Sequence, residues 1–389
     1  MYNILTLNKI AKCGLDRLDG AMFNICDDGA DKADGIILRS FSMHDMELSE
    51  NLKAIARAGA GVNNIPVDKC SEKGIVVFNT PGANANAVAE LTVAGFLLAS
   101  RKITDAVDWA KTLKGEGDNV GKLVEKGKSA FAGPEIRGKK LGVIGLGAIG
   151  ARVANLAVAL GMDVVGYDPY ISVDAAWRLS HHVKKSSDLK VMVAGCDYIT
   201  IHMPLMDSTK NIIGEELFDC MNEGTRLVNF ARGGLVDNKA LAAAMESGKI
   251  ACYVTDFPSE ESLALPKAIN IPHLGASTPE SEDNCAVMAA DELSDFIKFG
   301  TIKNSVNFPN CDLPVDSKYR VTIAHKNIPN MLSSFSAIFS ENSINIVNML
   351  NKSKKNFAYT IVDVDTVPAD ICDRIAALDG VCKVRVIEF

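Results

Sequence analysis

The stretch Leu141-Gly-Val-Ile-Gly145-Leu-Gly147-Ala-Ile-Gly150 constrains this chain more than any other. The run ahead of Gly145 is apolar or glycine, which suits a parallel strand buried on both faces. The Gly-x-Gly-x-x-Gly turn then opens a helix expected to run to about Leu160. Gly145 permits a tight turn, Gly147 lets backbone approach a pyrophosphate, and Gly150 lets the helix pack close to the strand. The first N–H groups of such a helix face an anion without competing partners. Gly161 closes the helix, Met162–Tyr167 reads as the next strand, and Asp168 stands at its tip. An acid roughly twenty residues after the glycines hydrogen-bonds the ribose 2′-hydroxyl of NAD and repels a 2′-phosphate. Strand, glycines, helix, strand and acid in this order predict a dinucleotide-binding unit.

The chain's 389 residues imply two or three domains. A net charge of −7 favours neither nucleic acid nor an anionic membrane surface as partner. An anionic substrate would therefore need local basic residues. No apolar run reaches the roughly 18 residues of a membrane span, and the start lacks a basic-then-apolar leader pattern. The ten cysteines form no Cys-x-x-Cys pair, so neither a metal site nor a disulfide framework is expected. Reduced thiols fit a cytoplasmic protein.

Ahead of the glycine motif, Asn3–Leu7, Gly35–Leu38 and Ile75–Phe78 read as buried strands and Leu48–Ala58 as an amphipathic helix. Alternation of this kind predicts a second α/β unit with a parallel sheet. Residues 87–101 read as a long apolar helix, a domain connector or a subunit interface. Residues 111–139, rich in Lys and Gly, read as an exposed excursion without regular structure. After Asp168, Tyr198–His202, Thr225–Asn229 and Ile250–Thr255 read as strands, and Leu235–Ser247 as a helix closed by Gly248. Polar turns follow the strands at His202-Met-Pro, Asn229-Phe-Ala-Arg232, Asp256-Phe-Pro and Pro272-His273-Leu-Gly. Ligands of open α/β sheets sit outside the carboxyl ends of the strands, so these turns are expected to line one cleft. His202 reads as core packing. Beyond a polar linker near Asn310–Pro314, four strands and two helices in the order βαββαβ predict a small ferredoxin-like unit.

Three motifs together carry a resemblance. They are Gly145–Gly150 with Asp168, Val228-Asn-Phe-Ala-Arg232-Gly-Gly-Leu-Val-Asp237, and Pro272-His273-Leu-Gly-Ala-Ser-Thr278. With Ile37-Leu-Arg39-Ser, Arg57-Ala-Gly-Ala-Gly61-Val-Asn, Asn79-Thr-Pro-Gly82 and Ala89-Glu-Leu91, the chain resembles the D-isomer-specific 2-hydroxyacid dehydrogenases over nearly its whole length. Its tail resembles an ACT regulatory domain. The resemblance implies an α/β fold with two doubly wound, Rossmann-like domains. Residues 1–90 with 280–312 would bind substrate, 91–279 would bind NAD, and 318–389 would form the ACT-like domain. It implies a homodimer or homotetramer, and closure of the two larger domains over the substrate.

It further implies Arg232, Glu261 and His273 as catalytic residues. A histidine titrates in the range needed to take and return the proton of a 2-hydroxyl. A carboxylate can orient and stabilise the imidazolium, and a guanidinium fork can clamp the substrate carboxylate. The family usually shows Asp-Val-Phe-x-x-Glu-Pro, whereas this chain reads Asp256-Phe-Pro-Ser-Glu260-Glu261-Ser, so Glu260 rivals Glu261. Besides the three glycines and Asp168, NAD contacts fall by resemblance on Ala148, Ile149, Met203, Pro204, Phe230, Ala231, Asp256, Gly275 and Ala276. Backbone at Ala60, Gly61 and Val62 would hold the substrate carboxylate. Arg39, with Ser40, and Arg57 are candidates for a phosphate, since guanidinium forks match phosphate oxygens. In the tail, His325, Asn327 and Asn345 would bind an amino-acid effector such as L-serine, and Asn330 stands where glycine is usual. A pure assembly role for the tail is the alternative. The substrate class implied is a phosphorylated 2-hydroxyacid, 3-phospho-D-glycerate. A broader 2-oxoacid reductase and an NAD(H)-sensing scaffold remain open.

Overall fold

A computed structural model describes residues 1–389, with the Asp174 side chain outside the description. The chain divides into two compact units, Met1–Asn84 with Pro279–Phe389, and Ala85–Thr278.

The first unit begins with a parallel sheet of β1 (Tyr2–Leu7), β2 (Phe23–Cys26), β3 (Gly35–Leu38), β4 (Ala54–Arg57) and β5 (Val76–Asn79), in the order β2-β1-β3-β4-β5. Successive side chains point to opposite faces, and both faces are buried. Ile4, Ile37, Ala54, Ala56, Val76 and Phe78 join one apolar cluster, while Leu5, Ile36, Leu38, Ile55 and Val77 join another. The expectation of a helix over Leu48–Ala58 is overturned, because the chain turns there and then enters β4. A short apolar run needed on both faces of a sheet carries no period of its own, so its pattern mimics a buried helix.

The helix Pro279–Phe299 returns to this sheet and lays Cys285, Ala286, Ala289, Ala290, Leu293, Phe296 and Ile297 into its core. These positions share one face of a 3.6-residue period. The tail follows as β13 (Tyr319–Lys326), the helix Met331–Glu341, β14 (Ile346–Lys354), β15 (Phe357–Val364), the helix Ile371–Ala376 and β16 (Val381–Glu388). Its antiparallel sheet runs β14-β15-β13-β16, so the ferredoxin-like order is present. One face of that sheet packs Val321, Ile323, Val362 and Val364 against Phe335, Phe339, Ile371 and Ile375. The other sends Ala324, Tyr359 and Ile361 into the cluster that holds Phe296 and Phe308.

The second unit carries a parallel sheet of β6 (Lys140–Ile144), β7 (Asp163–Tyr167), β8 (Lys184–Lys185), β9 (Tyr198–Ile201), β10 (Thr225–Asn229), β11 (Ile250–Thr255) and β12 (Ala268–Asn270). The order β12-β11-β10-β9-β6-β7-β8 is that of a doubly wound nucleotide fold, with chain order reversing between β6 and β9. The long helix Ala85–Arg101 belongs to this unit. Residues 111–139, expected to lack regular structure, contain the helix Val120–Gly127 and follow the helix Ile103–Lys111. Neither helix buries a residue, so their apolar positions left no strong core signal to read. Among the described residues no helix is long and apolar enough to cross a membrane, and no His/Cys/Asp/Glu group could hold a metal ion. All ten cysteines are free.

Candidate active site

In the second unit the glycine turn sits at the switch point, between β6 and the helix Ala148–Ala159. Gly145 has φ +89°, a left-handed conformation that disfavours side chains, and a Cβ there would press the His202 carbonyl. A Cβ on Gly150 would overlap the carbonyl oxygen of Gly145, whereas a Cβ on Gly147 would meet nothing within 4 Å. Gly145 and Gly150 are thus required by the protein's own packing. Gly147 keeps an open approach, which is what a bound pyrophosphate requires. Asp168 accepts the Leu146 N–H at 2.9 Å through one carboxylate oxygen and the Tyr170 N–H at 2.9 Å through the other. The acid is therefore locked to the glycine turn. These residues fit a dinucleotide with an unphosphorylated ribose 2′-position.

His202, beneath the turn, shares a 3.0 Å hydrogen bond between Nε2 and the Thr200 hydroxyl. Burial pushes its pKa down to about 3, so the ring stays neutral. Phe230 and Ala231 are buried, and Asn229 holds their turn by accepting the Ala231 N–H and donating to the Arg232 carbonyl. Met203 and Pro204 follow β9, and Ala148 and Ile149 open the helix after the glycines.

The strand β11 delivers Asp256, which is 1% exposed. One carboxylate oxygen accepts the Gly275 N–H at 2.9 Å, while the other is buried without a partner. Burial raises the Asp256 pKa, and the charges of His273 and Arg232 both oppose that rise. The Asp256 carbonyl also accepts the His273 N–H at 3.0 Å. His273 takes a left-handed φ of +44°, a costly conformation for a non-glycine residue that accumulates at functional positions. Its ring lies 4.8 Å from that of Phe257. Arg232 is exposed, and its guanidinium donates to the Ala231 carbonyl at 2.7 Å.

Glu261 is not brought to His273. No hydrogen bond joins them among the described residues. Instead Ser259 and Ser262 cap the turn Glu260–Leu263 reciprocally. Glu261, its pKa lowered by its own backbone N–H and Ser259, faces a cavity of about 600 Å³ shared with Gly233, Asp237, Lys239 and Phe257. Glu260 is exposed on the same turn. The carboxylate in electrostatic contact with both His273 and Arg232 is Asp256, a coupling that sequence position alone does not reveal.

In the first unit, Leu38 and Arg57 are register partners on β3 and β4, so Arg39 and Arg57 emerge at the same sheet end. Arg39 pairs with Glu282 at 2.6 Å. Ser40 donates its N–H to Asn8 at 3.0 Å. The Ala60 carbonyl accepts from Asn79 at 2.6 Å, and Gly61 and Val62 follow in the same half-buried loop. Asn8, which anchors the Ser40 loop, escaped sequence reading, although asparagine just past a strand end is a recognisable turn signal. In the tail, His325 is buried, with Nδ1 2.8 Å from the Lys326 carbonyl and Nε2 2.9 Å from the Thr360 hydroxyl. Asn327 donates to the Lys355 carbonyl, and Asn345 is exposed. Asn330 has φ +70°, the conformation that makes glycine usual there.

The sheet order, the glycine turn at the switch point and the acid at the tip of β7 define a dinucleotide-binding oxidoreductase domain. Residues 93–275 match the family described as D-isomer specific 2-hydroxyacid dehydrogenase, NAD binding domain. The chain is 32% identical to a D-3-phosphoglycerate dehydrogenase of Haemophilus influenzae over 88% of its own length and 83% of that protein's. It is 39% identical to a D-3-phosphoglycerate dehydrogenase of Methanocaldococcus jannaschii over 72% of its own length, and spans about half the length of that relative (52%). The crystal structure of an NAD+-bound 3-phosphoglycerate dehydrogenase from Entamoeba histolytica superposes with a TM-score of 0.62 at 27% identity, covering 79% of this chain and 98% of that one. This chain belongs to the D-isomer-specific 2-hydroxyacid dehydrogenase family.

Proposed function

We propose that the protein oxidises 3-phospho-D-glycerate to 3-phosphohydroxypyruvate with NAD, the first step of L-serine biosynthesis. The observation that carries the substrate assignment is the emergence of Arg39 and Arg57 together at the carboxyl ends of β3 and β4. Two guanidinium forks at one sheet end suit a phosphate. The names of the relatives agree with this reading. The bound nicotinamide supplies hydride acceptance. His273 takes the hydroxyl proton as hydride leaves, and Arg232 holds the substrate carboxylate and polarises the forming carbonyl. Asp256 stabilises the charged imidazole, and Glu261 serves only if its turn swings from its present cap. The tail is proposed to be an ACT-like module that senses an amino acid such as L-serine.

Purified protein is tested by NADH oxidation with 3-phosphohydroxypyruvate beside glyoxylate and 2-oxoglutarate, with and without L-serine. Strong preference for the phosphorylated oxoacid is expected, and His273→Ala should abolish turnover while NADH binding survives. Preference for an unphosphorylated acid would make the protein a broader 2-oxoacid reductase.

A further inference from the structure

The two arginines of the first unit do not stand independently. Arg57 donates its Nε–H to the Oδ1 of Asn64 at 3.2 Å. The same amide donates from Nδ2 to the carbonyls of Arg39 at 3.2 Å and Phe41 at 2.7 Å. Every strong hydrogen-bonding position on the Asn64 nitrogen is thus used, and its oxygen orients a cation. From the other side, Asn8 accepts the N–H groups of Ser40 and Phe41 at 3.0 and 2.7 Å. Two amides therefore clamp the segment that carries Arg39 and Ser40. Arg57 is also confined over Gly59, where any Cβ would collide with its guanidinium.

We propose that Asn64 is a positioning residue that fixes the separation and aim of Arg39 and Arg57, and thereby sets the preference for a phosphorylated over an unphosphorylated acid. This rests on the phosphate role given to those arginines above. Only an amide of this length serves both functions. A carboxylate would accept from Arg57 but could not donate to the two carbonyls, and would cancel part of the charge meant for phosphate. A hydroxyl offers one donor where two are used. Chelation by two forks depends steeply on geometry, so a shift of either guanidinium should weaken phosphate binding while leaving hydride transfer at C2 untouched.

The test measures kcat and KM for 3-phosphohydroxypyruvate and for hydroxypyruvate, the same skeleton without phosphate, in the wild type, Asn64→Ala, Asn64→Asp, Arg57→Ala and the Arg57→Ala/Asn64→Ala double variant. Both Asn64 variants should raise KM for the phosphorylated substrate about tenfold or more, with kcat and the hydroxypyruvate parameters changed less than about threefold. In the Arg57→Ala background the Asn64 change should cost little more, since the two act as one unit. Equal losses on both substrates, or full additivity in the double variant, would overturn the positioning role. Should Asn64→Ala fail to fold, the near-isosteric Asn64→Asp decides. If Arg57→Ala raises KM equally for 3-phosphohydroxypyruvate and hydroxypyruvate, the phosphate assignment falls instead, which separates the two failures.

Discussion

At the scale of single residues, charge and burial set what each acid can do. Asp168 is held by two backbone N–H groups, one on each carboxylate oxygen, and removing its charge should change cofactor choice at the loss of one of those bonds. Asp168→Asn is expected to lower the ratio of kcat/KM for NADH over NADPH by about tenfold or more, because repulsion of a 2′-phosphate is lost. An unchanged ratio would remove Asp168 from cofactor selection. Glu292 lies buried on the helix Pro279–Phe299, with Oε1 accepting from Asn304 at 2.7 Å and Oε2 without a partner. Burial raises its pKa to about 8 from the ordinary 4.5. The folded state therefore resists ionisation that the unfolded chain allows. Stability is retained below about pH 4.5 and declines as pH rises to about 8, by roughly 2–5 kcal/mol at the end of that range. Glu292→Gln should raise Tm near pH 9 and leave it nearly unchanged near pH 4.5; a uniform shift would contradict the burial account. This residue gives no hint of its state in the sequence, where it reads as one more acid on an acidic helix face.

At the scale of elements, the glycine turn separates two kinds of constraint. Gly150→Ala should lower Tm and abolish NADH binding together, because its Cβ overlaps the Gly145 carbonyl. Gly147→Ala should leave Tm nearly unchanged and weaken NADH binding, since its Cβ meets only open space. Fluorescence titration with NADH beside thermal melting distinguishes them, and a Gly147→Ala protein that binds NADH normally would argue against pyrophosphate approach at that position. This unit was the most legible in the sequence. Thr225–Asn229 and Ile250–Thr255 fall where the apolar runs and flanking turns put them, because each strand has its own closing signal. The β4 segment was misread because a two-faced strand of four residues lacks a period. The candidate site divided the same way. Glycines and the acid at a strand tip follow a fixed spacing, whereas the coupling of Asp256 to His273 and the bracing by Asn64 depend on loop conformations that carry no spacing signal.

At the scale of the whole molecule, the tail shares a core with the parallel sheet of the first unit. Arg320 and Asp363, both fully buried, form a two-point pair at 2.6 and 2.8 Å. Arg320 also donates to the carbonyls of Phe299 and Pro314, Arg385 to those of Phe296 and Ile297, and Tyr359 to that of Gly300. The Ile297, Phe299 and Gly300 carbonyls stand at the end of the helix Pro279–Phe299, where intrahelical partners run out. Arg320→Ala, which strands a buried carboxylate, should cost about 3–5 kcal/mol. Ending the chain near residue 316 should destabilise the remaining first unit, as read by its melting. A shortened protein melting as the full one does would show that the tail is merely tethered.

The helix Pro279–Phe299 thus ends on tail side chains, while Glu282 in its first turn holds Arg39. A ligand that binds the folded tail and not the unfolded chain adds RT ln(1 + [L]/Kd) to the stability of everything that unfolds with it. Any such ligand would therefore make the parallel sheet of the first unit open less often, with no displacement of any atom required to carry the message.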